Sequence, residues 1–458
     1  MSIQNLFEMS RRAFIMLNSN MNVVGQNIAN AQTPGYTRRR AQLQADSLSL
    51  NGIHMASSNP RARGLGASIQ SIDRMRDQLI FNSQLRAESQ LASSDARHRV
   101  LSALESLFPA DDRQSLDGRL NAFWNAWNDV ANNPEDRASR QVLIEKTRQL
   151  TDTIRSTDEG LLKLQQEQTD ELRSMVDEAN QLLKKIAELN QQIAKARNMG
   201  VPDLTAEDTR DQLLSSLSAL LPMEASTDDA GNFRITVNGF SLLENQTVQE
   251  LTFSPDTLEI TVGDVTLTLG EDDGRIGGIQ TLIKETIPNL RNDLDTLVAH
   301  LVSQVNTLHR AGYGLDGETG RNFFDPEGTT ASSFALAPEI IAQPDAIAAA
   351  AEAAPGDNTI ARAIVALQST PLDTIGDRSL TDFAISITAD VGSQVERVAS
   401  TLEARQFAVD HLSALERSLS GVSLDEEMTL MIQYQQQFAA SAKVLETAQT
   451  MMDTLLNL

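Results

Sequence analysis

The first thirty residues constrain the fold more than any other part of the chain. Between residues 3 and 28, apolar side chains recur at alternating steps of four and three, which is the spacing of a coiled-coil seam. The seam positions are Ile3, Phe7, Ser10, Phe14, Leu17, Met21, Val24 and Ile28, of which Ser10 alone is polar. The pattern predicts one long helix with a narrow apolar stripe, and such a helix needs a helical partner.

This first helix has a clear stop signal after it, in the stretch "NIANAQTPGYTRRR" at residues 27–40. Asn30 suits the left-handed position at a helix C-terminus, and Thr33 is restricted to extended backbone because a proline follows it. Pro34 and Gly35 fit the centre of a type II turn, whose second central residue needs positive φ. We therefore predict a turn that sets the direction of the helix, formed by Asn30, Thr33, Pro34, Gly35 and Tyr36.

The end of the sequence mirrors its beginning. From residue 424 onward the same spacing recurs, with Gln435 and Gln449 as polar inclusions of the kind that fix register. Ser423 fits an N-cap, and Glu426 three residues later would complete a capping box. The apolar positions of this second seam are Leu424, Met428, Met431, Phe438, Ala442, Leu445, Met452 and Leu456. We expect the two terminal seams to pair as a coiled-coil inner domain, residues 1–45 plus 421–458.

The middle of the chain is predominantly helical. Amphipathic periodicity predicts long helices at 74–107, 134–199, 276–308 and 381–419. A shorter helix carries Phe123, Trp124 and Trp127, for which packing is the expected role. The fold class is therefore mainly α, with a long-helix bundle as the middle domain.

One segment reads as β structure instead. Residues 223–275 alternate apolar and polar residues around Asn238-Gly239 and Gly263-Asp264 turns, which predicts a small antiparallel β insertion. We assign this insertion to an outer domain and residues 46–222 plus 276–420 to the helical middle domain. Within the latter, residues 311–380 are irregular, with short helices and loops.

No constellation in the sequence points to catalysis, a cofactor or a metal. The chain has no cysteine, no phosphate-binding Gly-Lys-Ser/Thr loop and no two histidines at four-residue spacing. The segment "GLDGETG" at 314–320 lacks the acidic spacing of a calcium loop. The histidines are scattered: His54, His98, His300, His309 and His411. We therefore expect no enzyme activity and look for function in surfaces and assembly.

Charge is distributed unevenly along the chain. The net charge is -24, yet the first 100 residues carry 12 basic and 6 acidic side chains. Such a chain will not bind nucleic acid over most of its surface. The basic triplet Arg38, Arg39 and Arg40 either contacts acidic neighbours or is simply solvated.

The sequence has neither a secretory signal nor an apolar stretch long enough to cross a membrane, and taken alone this indicates a cytoplasmic protein. The absence of cysteine has two explanations. One is compositional chance. The other is a chain that crosses redox compartments and must not cross-link on the way.

The terminal helix is marginal by itself. Full burial of its seven apolar seam side chains would contribute roughly 10–20 kcal/mol. Ordering its 26 residues costs about 1–2 kcal/mol each, which is at least as large. We therefore expect both ends to be mobile in the monomer and to become ordered when neighbouring subunits surround the seam.

Two of these features carry a resemblance. The N-terminal helix with its "NIANAQTPGYTRR" turn, and residues 421–456, resemble the bacterial flagellar axial proteins of rod, hook and hook–filament junction. Residues 305–324, 133–150 and 34–39 are similar to the hook–filament junction members. His309, Gly312 and Phe323 belong to the first of these segments, without an assigned role.

The resemblance implies a structural adaptor ring that joins hook to filament in the extracellular flagellum. It implies export of the unfolded chain through the flagellar type III channel, and a chaperone at the C-terminal helix. Expected partners are further copies of the chain, the hook protein and a second junction protein, hook-associated protein 3, without nucleic acid or membrane. The alternatives are a hook or rod subunit, a cytoplasmic coiled-coil scaffold, or an enzyme whose site escapes a motif search.

Overall fold

The computed structural model describes residues 3–45, 67–109, 114–228, 231–354 and 356–456. Helices dominate these ranges, and the longest, α4, extends for about 93 Å at 1.5 Å per residue. The helices are α1 (Ile3–Ala29), α2 (Gln78–Ser106), α3 (Leu116–Asn132), α4 (Arg137–Asn198), α5 (Leu204–Leu220), α6 (Gly274–Thr281), α7 (Ile287–Arg310), α8 (Pro338–Ala342), α9 (Thr359–Ala366), α10 (Leu380–Ser420) and α11 (Leu424–Leu456). The mainly α fold that the sequence predicts is confirmed.

Capping side chains explain where the long helices begin. The Asp77 carboxylate accepts from two amides of the first turn of α2, and Asp136 does the same for α4. For this reason α4 begins at Arg137, three residues later than the periodicity alone predicts. Between α6 and α7 the chain continues through a π-helical turn at Leu282–Thr286. Pro288 follows this turn and has no amide hydrogen for a regular α-helical bond.

Three small antiparallel sheets interrupt the helices. The predicted insertion forms β3 (Met223–Thr227), β4 (Phe233–Val237), β5 (Phe240–Glu244) and β6 (Thr247–Val248) in one sheet, and β7 (Leu251–Ser254), β8 (Glu259–Val262) and β9 (Val265–Thr266) in another. Asn238 and Gly239 both have positive φ, as expected for the turn between β4 and β5.

The third sheet was not predicted. Strands β1 (Arg39–Ala45) and β2 (Ala67–Arg74) pair antiparallel directly after the first turn, with Arg39 opposite Arg74. The prediction of a helix beginning at residue 74 is therefore wrong, because β2 ends there and α2 begins at Gln78. The two strands lie more than twenty residues apart in sequence, too far for a hairpin signal to be recognised.

The main hydrophobic core belongs to the body of the molecule. One contiguous cluster of buried side chains runs from Phe81 in α2 to Val398 in α10 and includes Phe123, Trp124 and Trp127. The terminal helices contribute none of its members. Their buried apolar residues form a separate contact between α1 and α11: Leu17, Val23, Val24 and Ala448.

Candidate assembly site at the terminal helices

The two terminal helices pack against each other in opposite directions. Phe14 meets Phe438 edge to face, with ring centroids 4.5 Å apart. Asn27, nearer the C-terminus of α1, donates a hydrogen bond to Glu427, near the N-terminus of α11. The two helices are therefore antiparallel. The pairing of chain ends that the sequence predicts is confirmed, and it is antiparallel.

On α1 the predicted seam faces its partner. Leu17 and Val24 are buried, and Ser10, the polar seam position, is 5% exposed. The remaining described seam members are half-buried: Phe7, Phe14, Met21 and Ile28. The side chain of Ile3 lies outside the described residues.

On α11 the seam is rotated from the predicted one. The buried positions are Glu427 and Ala448, and Met431, Phe438 and Leu445 are half-buried. Predicted seam members Leu424, Met428 and Met452 are instead 45%, 56% and 38% exposed. These three side chains therefore do not face α1 within the chain, and their role in association between subunits stays a prediction. The side chain of Leu456 lies outside the described residues.

The exposure of Met452 follows from the lengths of the two helices. Phe14 and Phe438 lie opposite each other, and α1 begins eleven residues before Phe14, at Ile3. Because the helices are antiparallel, Ile3 lies opposite the residue eleven positions after Phe438, which is residue 449, whereas α11 continues to Leu456. The last turns of α11 therefore extend past the described start of α1. Other exposed apolar side chains of the helix pair lie along its flanks: Ile15, Ile432, Val444 and Met451.

The predicted turn after α1 is present. The Tyr36 amide donates to the Thr33 carbonyl at 3.2 Å, and Gly35 has a φ of 75°. The carbonyl of Pro34 accepts from Gln212 Nε2 on α5 at 2.6 Å, which fixes the turn to the body. The prediction of a left-handed backbone at Asn30 is wrong, because Asn30 is not among the described non-glycine residues that have positive φ. Its side-chain amide instead donates to the Gln26 carbonyl at 2.9 Å.

Asn27 is the central residue of the joint between the helix pair and the body. It is 1% exposed, and its amide nitrogen donates to the Arg39 carbonyl at 2.9 Å and to Glu427 Oε2 at 3.0 Å. Its side-chain oxygen accepts from the Tyr36 hydroxyl at 2.8 Å and from the Arg39 amide at 3.0 Å. All its hydrogen-bonding capacity is therefore used to connect α1, the turn, β1 and α11.

Arg38 completes this joint from the other side. Its Nε donates to Glu427 Oε1 at 2.8 Å, and its Nη1 donates to Glu426 Oε2 at 2.8 Å. Glu427 is 1% exposed, so its carboxylate is compensated by Arg38 and Asn27 rather than by water. Ser423 Oγ accepts from the Glu426 amide at 3.4 Å, which gives half of the predicted capping box. The Glu426 carboxylate pairs with Arg38.

A second group of charges connects the same strands to α5. Arg39 Nη2 lies 3.4 Å from Asp208 Oδ2, and Arg74 Nη1 lies 3.0 Å from Asp208 Oδ1. Arg74 and Arg76 both pair with Asp211. Burial lowers the pKa of Arg76 to about 9. The basic triplet thus divides: Arg38 and Arg39 pair within the chain, and Arg40 is exposed.

The segment around His309 has a packing role that sequence reasoning missed. His309 is fully buried, and its Nδ1 lies 2.8 Å from the Arg321 carbonyl while its Nε2 accepts from the Ala348 amide at 2.8 Å. This arrangement requires a neutral ring with the proton on Nδ1, and burial lowers the pKa of His309 to about 4. Phe323 packs beside it with ring centroids 5.5 Å apart. A Cβ on Gly312 would lie 2.9 Å from Ile360, so this position is tightly packed.

Comparison with known proteins assigns the chain. The family model described as the flagellar hook-associated protein FlgK helical domain matches residues 101–324, and the model described as flagellar basal body rod FlgEFG protein C-terminal matches residues 415–458. Together the two segments cover more than half of the chain. Flagellar hook-associated protein 1 of Bacillus subtilis (strain 168) is 27% identical, with 98% of this chain and 97% of that protein covered. The chain belongs to the flagellar hook-associated protein FlgK family.

Other members of the FlgK family show how much of this chain is shared. Flagellar hook-associated protein 1 of Escherichia coli (strain K12) is 25% identical, with 96% of each chain covered. That alignment runs over 536 positions against the 458 residues here, so the relative carries insertions. The structure of the flagellar hook junction protein FlgK from Burkholderia pseudomallei matches with a TM-score of 0.65 and 14% identity, covering 74% of this chain and 100% of that one. Among the described helices, none is long and apolar enough to cross a membrane.

Proposed function

We propose that the chain is a structural subunit of the bacterial flagellum that joins hook to filament and assembles through α1 and α11. Family membership supports the location and the structural role. The observation that carries the assembly mode is a helix pair outside the main core, with exposed apolar flanks and a buried polar joint to the body. Side chains such as Met428 and Ile432 are then covered by neighbouring subunits.

The domain division follows from the same proposal. Residues 1–45 plus 421–458 form the inner domain, residues 46–222 plus 276–420 the helical middle domain, and residues 223–275 the outer β insertion. The seam residues of both ends carry the inner-domain association, and Asn30 with residues 33–36 forms the turn that directs α1. In this arrangement the exposed apolar flank of α11 faces other terminal helices, not water.

The partners are further copies of this chain, the hook protein and hook-associated protein 3. The chain leaves the cell unfolded through the flagellar export channel, and a chaperone holds α11 before assembly because its apolar flank is exposed. A chain without cysteine suits this route, since it cannot form disulfides on leaving the cytoplasm. We propose no catalytic role.

Deletion of the gene tests the proposal. A junction subunit is not needed for the hook, so the deletion strain should keep complete hooks and release flagellin into the medium. The match of residues 415–458 to a rod-protein model makes a hook or rod subunit the second candidate. Loss of hooks or rods in the deletion strain would favour that candidate. Recovery of the chain from culture supernatant with its N-terminus intact would exclude a cytoplasmic scaffold.

A further inference from the structure

An open groove of about 830 Å³ lies on the middle domain, between α2 and α10 and beside the C-terminal end of α5. Leu91 and Ala92 line it from α2, and Leu402 and Phe407 line it from α10. Phe407 is 74% exposed, and no other aromatic side chain of the described residues is as accessible. An exposed aromatic ring beside further apolar side chains is typical of an interaction surface.

The border of this groove is acidic. Four carboxylates line the groove and no basic side chain does: Glu88, Asp95, Glu403 and Asp410. Asp95 pairs with Arg99 at 3.3 Å, but the nearby Arg405 turns away from the groove and pairs with Asp272. Burial raises the pKa of Glu88, and the charge of Glu416 adds to this effect. The acidic groove therefore has an excess of negative charge, and the occupant that fits it is cationic and apolar.

The C-terminal end of α4 has the opposite character. Residues 195–201, the α4 tip, contain two basic residues and no acidic one. Lys195 and Arg197 are exposed, and neither pairs with a carboxylate of the described residues. Met199 and Val201 are 75% and 70% exposed, on either side of Gly200, whose φ of 76° ends the helix. The α4 tip is thus a convex surface that brings two cations and two apolar side chains together.

One chain cannot place its α4 tip in its own acidic groove. The tip precedes the first residue of α5, Leu204, whereas Ala219 at the other end of α5 lines the groove. These fifteen residues of helix separate the two surfaces by about 22 Å. In addition, α5 packs against both α2 and α4 and lies between them. The occupant with this composition must therefore come from another copy.

We propose that the acidic groove binds the α4 tip of a second copy of this chain. Met199 and Val201 then cover Phe407, and the two cations of the tip meet the carboxylates of the border. The contact is made by the middle domain, apart from the terminal helices. It rests on the proposed function, in which copies of the chain assemble, and it names the residues of a lateral contact. Because the two surfaces differ, the association is heterologous and continues from copy to copy.

A disulfide between copies tests this contact, because the natural chain has no cysteine. Asn198, the last residue of α4, and Gln406, which lines the groove, are both changed to Cys in the chain's own gene. A disulfide needs Cα atoms within about 7 Å, so these two positions can be linked only between copies. Isolated flagella are oxidised, and an immunoblot of a non-reducing gel should show a ladder of covalent multimers. The matched control combines Asn198→Cys with Ser393→Cys, an exposed position about 20 Å away along α10, and should give at most a tenth of the yield.

A charge reversal tests the chemistry of the acidic groove. Glu403→Lys with Asp410→Lys, in the chain that carries the 198 and 406 cysteines, should lower the yield of the 198–406 link at least tenfold. The control reverses two exposed carboxylates outside both surfaces, Glu396→Lys on α10 and Glu178→Lys on α4, and should leave the yield unchanged. Equal yields in these two chains would overturn the role of the acidic border.

A second reversal distinguishes contact from a change in folding. Lys195→Glu with Arg197→Glu should lower the yield at least tenfold by itself, because the tip then repels the border. Combined with Glu403→Lys and Asp410→Lys, it should restore at least half of the original yield, since every contact again joins opposite charges. Failure of this combination, with each reversed chain still folded in the monomer, would contradict the pairing of the two surfaces.

The outcomes separate this inference from the proposed function. Flagella that form normally without a 198–406 link above the control overturn the lateral contact and leave the junction role intact. Loss of filaments on reversal of the groove charges, without any 198–406 link in the parent chain, would mean that another protein occupies the groove, and this also overturns the inference. A deletion strain that has lost its hooks overturns the junction role itself.

Discussion

The buried carboxylate of Glu427 provides the most direct test of the joint. Glu427→Gln keeps the shape of the side chain and an oxygen acceptor for Asn27, but it removes the charge that Arg38 Nε contacts at 2.8 Å. Hydrogen bonds to a charged group contribute about 1.5–3 kcal/mol, and Glu427 is 1% exposed, so water cannot replace them. We expect the docking of α11 on α1 and the body to weaken by about 2–3 kcal/mol.

Glu426→Gln is the matched control. It removes the same charge from the neighbouring residue, and its carboxylate pairs with the same arginine at 2.8 Å. The Glu426 side chain is 63% exposed, however, so solvent screening limits the expected loss to about 1 kcal/mol or less. The two variants therefore differ in burial and not in chemistry.

Hydrogen exchange of the purified monomer measures the effect, and fast exchange of α11 already in the unmodified chain would instead match the mobile ends that the sequence analysis expects. Because 1.4 kcal/mol corresponds to a factor of ten, amides of α11 should exchange about 30- to 150-fold faster in Glu427→Gln than in the unmodified chain. Peptides from α3, in the main core, should be unchanged in both variants. Equal exchange of α11 in Glu427→Gln and Glu426→Gln would refute the reasoning, since burial would then have no energetic consequence.

Three further tests address the turn, the buried histidine and the helix pair. Gly35→Ala should lower the free energy of unfolding in urea by about 2–3 kcal/mol, because its φ of 75° is strained for alanine and the new Cβ would displace Gln212 from Pro34. Gly200→Ala is the control: its φ is 76° but the space around it is open, so the free energy of unfolding should fall by about 1 kcal/mol. The pKa of His309 is about 6.5 in the unfolded chain and about 4 in the folded one, because burial disfavours the charged ring. The free energy of unfolding should therefore fall by about 3 kcal/mol as the pH drops between these two values. Urea unfolding curves of His309→Gln should lose this pH dependence. Phe14→Ala should speed amide hydrogen exchange of α1 in the monomer, because it removes the ring contact with Phe438. Ile15→Ala, at a 59% exposed position, should leave exchange in the monomer unchanged and lower the yield of filaments on cells. The reverse result would mean that α1 faces its partners the other way.

Periodicity made the long helices predictable, but it could not identify which face of α11 meets α1. Counting apolar residues placed Leu424 and Met428 on the seam. The structure keeps the predicted Met431 but uses Glu427 in place of Met428, one position away on the helix. A glutamate is not counted in an apolar pattern, and its partners Asn27 and Arg38 lie about 400 residues away in sequence. Long-range compensation of a buried charge leaves no local signal, so the sequence alone did not place Glu427 on the seam.

Strands β1 and β2 and the pairing of Arg39 with Asp208 were unpredictable for the same reason. Each joins parts of the chain that are distant in sequence: β1 pairs with β2 more than twenty residues later, and Arg39 pairs with Asp208 on α5. The Pro34-Gly35 turn is a contrasting case, since a positive φ is a local requirement that glycine meets by itself. Local constraints of this kind can be recognised in a single sequence, whereas electrostatic partners cannot.

The composition of the joint indicates what it does for the molecule. Apolar side chains at the positions of Asn27 and Glu427 would hold α1 and α11 together at least as well, because desolvation offsets much of the gain from a buried ion pair. They would also accept other rotations and registers of the two helices, since apolar contacts have little directionality. Asn27 bonds four groups on three segments, and only one placement of α11 presents Glu427 to it and to Arg38 together. Under the proposed assembly the exposed flanks meet those of neighbouring subunits, and this requires a single orientation of the helix pair more than additional stability.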